Sequence, residues 1–250
     1  MVNIWQKYVD IWSTLTTESL RHDYIKCHRG FVLDEDNVDL LSSYFNLNFI
    51  PQPYIGNYTA RHYVLMTNPS WHEFDIKHMG IEKINDEDEV TTFKRFKICV
   101  NQLTFSNNEN QFHLLRDEFS NLSSNSTKIK TAYGWWKQRI FCKNSVINRE
   151  NDLFILQLFP YRSYTSMGIE HFSKKFALDN AKYRNELLRR AIIDNKIIYI
   201  MRSIKLWISA VPELNEYGMK TDNVFVAKNF QNATLSKSNL RTFKEYINEK

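Results

Sequence analysis

Four short apolar runs punctuate the chain, each the length of a strand. They are HYVLMT at 62–67, LFILQLF at 153–159, KIIYIM at 196–201 and NVFVA at 223–227. None alternates apolar with polar residues, which predicts strands covered on both faces, as in a parallel sheet with helices packed against it. Between and after them the apolar residues recur at helical spacing over about 177–193, through LWISAV at 206–211, and over about 237–248. The first fifty residues also read as helical: Ile4, Tyr8, Ile11 and Trp12 share one face, and Val38, Leu40, Leu41 and Tyr44 form a second apolar set. IPQPYIGNYTA, at 50–60, reads as a loop because it holds two prolines and a glycine. Helices are predicted near 91–102 and 111–120, with a loop at 120–126. The whole pattern predicts a single 1–250 domain. Its core is a three-layer α/β/α sandwich on a mainly parallel four-stranded sheet, and residues 1–50 form a helical N-terminal extension.

Composition narrows the function. With 43% apolar and 24% charged residues the chain is neither disordered nor fibrous. It has only 6 Gly, with no G-x-G-x-x-G and no Walker A sequence, so dinucleotide and P-loop readings lose their support. Cys27, Cys99 and Cys142 are isolated, which indicates no zinc or iron–sulfur site, and their odd number suits a reducing cytoplasm. No apolar run is long enough to span a membrane, and MVNIWQKYVDIW lacks the pattern of a secretory signal, so a cytoplasmic protein is expected. Charge changes the picture most. Residues 1–120 hold 11 basic and 17 acidic side chains, net −6; residues 121–250 hold 22 basic and 11 acidic, net +11. Such asymmetry fits a second half that faces a polyanion, or a solvated basic surface without a partner.

In open α/β sheets ligands bind beyond the carboxyl ends of the strands, so the residues there are the candidates. After the first strand come Asn68-Pro69-Ser70-Trp71-His72-Glu73. The second ends in Gln157-Leu158-Phe159-Pro160-Tyr161-Arg162-Ser163. Arg202-Ser203 follow the third, and the fourth leads into Lys228-Asn229-Phe230-Gln231-Asn232-Ala233-Thr234-Leu235-Ser236. These are amides, hydroxyls, cations and aromatics, with Glu73 the one acid. There is no carboxylate pair at glycosidase spacing, no G-x-S-x-G and no H-E-x-x-H. Taken singly, each is also ordinary turn chemistry.

As an ordered set they resemble the uracil-DNA glycosylase superfamily, in its mismatch-specific and single-strand-selective branches. Strand–Asn68-Pro69-Ser70 resembles motif one, a strand followed by Asn-Pro-Gly, and Pro53-Tyr54-Ile55-Gly56-Asn57 resembles the loop before it. Leu156-Gln157-Leu158-Phe159-Pro160 looks like the second strand, with Gln157 where an Asn reads the base edge. The segment 226–236 resembles the last strand and motif two, keeping Leu235-Ser236 but carrying Gln231 or Asn232 in place of the His. The resemblance implies a cofactor-free, metal-free DNA glycosylase, expected to act as a monomer and to leave an abasic site. Asn68 would orient the water, and Gln231 or Asn232 would donate to the departing base.

The remaining roles follow from what base excision needs. The base must be flipped from the stack into a pocket. Gln157 would read its edge, and Tyr54, Trp71, Phe159 and Tyr161 would stack on it or line the pocket. Ser70, Ser163, Ser166, Ser236, Arg162, Arg202, Lys228 and Lys237 would hold phosphates, while Leu235 would fill the gap left by the nucleotide. His72 and Glu73 could serve as bases or simply begin the next helix. A longer amide at Gln157, together with the lost His, points to an enlarged base such as glucosylated hydroxymethylcytosine in phage DNA; uracil is the alternative. Two other classes stay open: a DNA-binding module that has lost catalysis, and an unrelated α/β enzyme acting on nucleotides or nucleosides.

Overall fold

A computed structural model describes residues 3–6, 8–10, 45, 49–69, 98–104, 136, 138–147, 149–163 and 179–249. The sequence-predicted positions Ser70, Trp71, His72, Glu73 and Ser166 lie outside the described residues. So do most of 1–50, the helix expected at 111–120 and the loop at 120–126.

The fold is α/β, built on one mixed six-stranded sheet of order β1-β3-β2-β4-β5-β6. The strands are β1 (Tyr54–Gly56), β2 (His62–Met66), β3 (Leu153–Gln157), β4 (Ile197–Ile200), β5 (Val224–Ala227) and β6 (Leu240–Thr242). The four apolar runs are the central strands β3-β2-β4-β5, all mutually parallel. The expectation of a four-stranded sheet is corrected at both edges, where β1 runs antiparallel to β3 and β6 antiparallel to β5. Both extra strands are three residues long, too short to leave a period in the sequence. Prolines at 51 and 53 disguise β1, although an edge strand tolerates proline at its margin.

Alternation along the central strands divides the core into two faces. Tyr63, Leu65, Phe154, Leu156, Ile198, Ile200, Val224 and Val226 point to one side. There they meet α1 (Asp179–Ile193), α2 (Ile204–Ala210), α3 (Glu213–Lys220) and α4 (Phe243–Asn248) through Leu187, Trp207, Leu214 and Phe243. Val64, Met66, Leu153, Ile155, Tyr199, Met201 and Ala227 point to the other, under Trp136, Ile140, Ile147, Ala233 and Leu235. The single helix expected over 237–248 is instead a 3-10 turn, then β6, then α4. Thr242 accepts from the Glu245 N–H while the Glu245 carboxylate accepts from the Thr242 N–H, and this capping box fixes where α4 begins.

Two glycines set close approaches. Gly56 has φ +96°, and a Cβ there would lie 2.3 Å from the Leu153 carbonyl oxygen, so β1 pairs with β3 only because the position has no side chain. At Gly218 a Cβ would meet the Phe243 ring at 2.6 Å, which is how closely α3 lies on α4.

Candidate functional site

The strand order defines where a crevice opens. From β2 the chain leaves toward β3 on one side, and from β4 toward β5 on the other, so connections diverge between the carboxyl ends of β2 and β4. The residues at that point touch: the hydroxyls of Thr67 and Ser203 are 2.8 Å apart. Ser203 takes the left-handed backbone conformation (φ 55°) where α2 begins, which turns the chain sharply after β4. Thr67 ends the first apolar run and Ser203 follows the third, but nothing in their spacing marks them as partners.

Asn68 stands next to this point, half-buried. Its Nδ2 donates to the Ser163 hydroxyl at 2.7 Å and to the carbonyls of Pro69 at 3.0 Å and Tyr161 at 3.4 Å. Two of those neighbours are carbonyl oxygens, which can only accept, so the nitrogen must face them. The Asn68 Oδ1 is thereby turned away, and no hydrogen bond among the described residues uses it. The backbone beneath continues the sheet: Leu158 and Phe159 donate to the carbonyls of Met66 and Thr67, and Ser163 N–H to Pro69. Asn68 and Ser163 are therefore brought together, as predicted positions in one site.

Gln157 ends β3 beside Met66. It is 2% exposed, and its Oε1 has no hydrogen-bond partner. A buried amide oxygen left open costs on the order of 1–3 kcal/mol, so the position is one where an incoming donor would be strongly favoured.

The loop after β5 bends toward β4. Arg202 Nη2 donates to the Gln231 carbonyl at 3.4 Å. Gln231 and Asn232 are exposed at their side chains and anchored by their backbone, both N–H groups donating to Asn229 Oδ1 at 3.0 and 2.9 Å. Ser236 lies in a chain of hydroxyls with Thr234 at 3.0 Å and Ser238 at 3.3 Å, and Lys228 and Lys237 project into solvent.

Other sequence-predicted residues sit elsewhere. Tyr54 is in the core, stacked on Phe154 with its hydroxyl donating to the Leu103 carbonyl. Burial raises its pKa well above the ordinary phenol value. Phe159 and Tyr161 are also buried, both packed against Phe45 at 6.1 and 5.7 Å between ring centres. Leu235, expected as a wedge, is 0% exposed among Trp136, Ile140 and Ala233. Arg162 is expected on phosphate but is buried, donating to Gln52 Oε1 at 3.3 Å and lying 5.1 Å over the Phe49 ring. Apart from Arg162 these are large apolar or aromatic side chains, which fill cores more often than they line sites.

One residue that reasoning from the strand ends missed is Arg139. Its carbonyl accepts from Leu235 N–H, and its guanidinium is near enough to Arg202 that the two charges repel. Its only sequence signal was membership of the acid-free stretch from Phe119 to Arg149.

A cavity of about 310 Å³ lies at the opposite, amino edge of the sheet, lined by Tyr58, Tyr63, Tyr183, Arg190, Asp194 and Lys196 among others. It contains none of the candidate residues. No group of His, Cys, Asp and Glu among the described residues is placed to hold a metal ion. No protein-family model matches the chain, and no curated protein or solved structure matches it either.

Proposed function

We propose that the chain is a monofunctional DNA glycosylase that hydrolyses the N-glycosidic bond of a flipped, modified pyrimidine and leaves an abasic site. The observation that carries this is the Asn68 amide: its nitrogen is pinned to three acceptors and its carbonyl oxygen is free, at the divergence point between β2 and β4. A fixed acceptor of that kind orients a water without being a strong base. That suits a dissociative reaction, in which the C1′–N bond breaks first and its electron pair leaves with the base. The water oxygen then bonds to C1′ and releases its proton to solvent, while the base anion takes up a proton. Gln157 supports the reading as a buried acceptor for a base N–H, a role that fits the N4 amino group of a cytosine derivative. Gln231 or Asn232 would supply the donor to the departing base. DNA is the partner, and no cofactor is required.

A second reading, a DNA-binding module without catalysis, is favoured by one observation: the side chains of Gln231 and Asn232 are exposed and neutral, where the leaving-group donor should be directed inward. Incubation with single- and double-stranded DNAs carrying uracil, hydroxymethylcytosine and its glucosylated form, scored for alkali-labile abasic sites, separates the two. Cleavage at a modified cytosine is expected. Cleavage of uracil alone returns the chain to ordinary repair, and binding without any abasic product establishes the module.

A further inference from the structure

Two arginines, Arg139 and Arg202, lie on the carboxyl edge with no carboxylate pairing them among the described residues. Arg202 leaves the end of β4 and is half-buried. Its Nε has no hydrogen-bond partner, and its one hydrogen bond is to the Gln231 carbonyl. Arg139 is held beside it because the segment 139–146 is tied to the loop after β5. Leu235 N–H donates to the Arg139 carbonyl at 2.9 Å, Val146 N–H to the Leu235 carbonyl at 2.9 Å, and Ser145 bridges Ser236. Neither arginine has an ion-pair partner among the described residues, whereas Arg189, Lys220, Arg241 and Lys244 all have one.

The described segments that carry the two arginines and the loop after β5, 138–147, 195–212 and 223–244, contain no Asp or Glu. Two like charges placed together with partial burial destabilise the free protein unless an anion joins them. Burial, and then the Arg139 charge, lower the Arg202 pKa from its usual value, which is the direction that cost takes. The planar fork of an arginine matches phosphate oxygens two at a time. The neighbouring hydroxyls of Thr234, Ser236 and Ser238 add neutral donors on the same loop.

We infer that Arg139 and Arg202 form a phosphodiester clamp, gripping one backbone phosphate of the DNA strand next to the β2/β4 crevice. This rests on the proposal that DNA is the partner, but not on excision. The clamp fixes where the strand passes, so the nucleotide beside the gripped phosphate is the one presented to Asn68 and Gln157.

The test uses unmodified single-stranded oligonucleotide, so that no excisable base is needed, and titrates binding across salt concentrations. Wild type is compared with R139A, R202A, the double variant and R202K. The double variant is expected to flatten the plot of log affinity against log salt by about 0.7, the share of one phosphate on a single strand, and each single alanine change by part of that. R202K should keep the slope but bind more weakly, because it keeps the charge and loses the fork. A second readout guards against misfolding: inorganic phosphate should raise the thermal midpoint of wild type and leave that of the double variant unmoved. If wild type does not bind DNA, the proposed partner is wrong. If wild type binds and the alanine variants keep its affinity and slope, the clamp is overturned. Phosphate stabilisation without any change in DNA binding overturns it too, leaving a site for free phosphate only.

Discussion

The two edges of the sheet solve the same problem in opposite ways. At the amino edge, polar groups satisfy one another. His62 lies 3.4 Å from the Asp152 carboxylate, whose other oxygen accepts from Arg61 N–H. Lys196 Nζ donates to the Thr59 carbonyl, and Tyr217, Asn195 and Asn223 form a closed set of hydrogen bonds. At the carboxyl edge the same residue types are left open: the Asn68 carbonyl, the Gln157 carbonyl and Arg202 Nε. Buried polar groups are normally paired; Gln157 Oε1 and Arg202 Nε are exceptions on the carboxyl edge, as Trp207 Nε1 and Arg241 Nε are elsewhere. The amino edge also holds a cavity of about 310 Å³, beside which Lys196 Nζ and the Tyr63 hydroxyl already donate to backbone carbonyls.

The difference can be broken most sharply at Asn68. Asn68→Ala should lower single-turnover excision by about 10²-fold or more, comparable with losing one preorganised polar group at a reacting centre. Because three hydrogen bonds go with it, stability should fall by about 1–2 kcal/mol while the fold persists. Near-wild-type excision by a folded variant would remove Asn68 from the chemistry.

The amino edge should respond as a frame does. Gly56→Ala places a methyl group against the Leu153 carbonyl in a left-handed conformation, so a loss of about 1–3 kcal/mol is expected in urea unfolding. If the midpoint does not move, β1 is not seated as described.

Gln157 should behave in the opposite sense. Its open carbonyl makes Gln157→Met a stabilising change, by about 1 kcal/mol in urea unfolding of the free protein, while discrimination between bases declines. A destabilised variant would mean that the amide is already paired and reads nothing.

The smallest effect is expected at His62. Burial lowers its pKa from 6.5, outweighing the Asp152 carboxylate, which raises it; the Arg61 charge lowers it further. The folded state therefore binds its proton less readily than the unfolded chain. The stability from neutral His62 is complete above pH 6.5 and is lost as pH falls from there through the lower folded value. His62→Gln should flatten the stability profile in that window, and an unchanged profile would show that His62 titrates normally. DNA affinity over the same range should not follow His62, which lies at the far edge.

What could be read from the sequence follows how many residues each feature spreads its signal over. The strands β2, β3, β4 and β5 and the helix α1 carry continuous apolar or periodic runs, and their positions were predicted within one or two residues. Three-residue β1 and β6 have no such run, and α3 was hidden by Pro212 and Gly218, although Pro212 sits at its N-cap, where proline does no harm. The Thr242–Glu245 spacing was visible and would have divided the last helix from the strand before it. The site was legible to the extent that chain position decides it. Asn68, Ser163 and Arg202 stand at strand ends and come to the crevice. Tyr54, Phe159, Tyr161, Arg162 and Leu235 also stand near strand ends, but side-chain direction sends them into the core, and direction is set by packing that no local pattern encodes. Arg139 is far in sequence from β4 and β5, and only tertiary pairing brings it to Arg202.

The seating of Leu235 has a consequence for how recognition could diversify. Its side chain fills the core, its N–H and carbonyl are both tied to the 139–146 segment, and Lys228 N–H is fixed to the Asn239 carbonyl. The stretch from 229 to 232 is thus suspended between two immovable posts. Its exposed residues can be exchanged, lengthened or shortened with little effect on the sheet behind them. On the proposed reading the loop would be a replaceable cassette: the grip on the backbone would stay constant while the part that meets the base is rewritten.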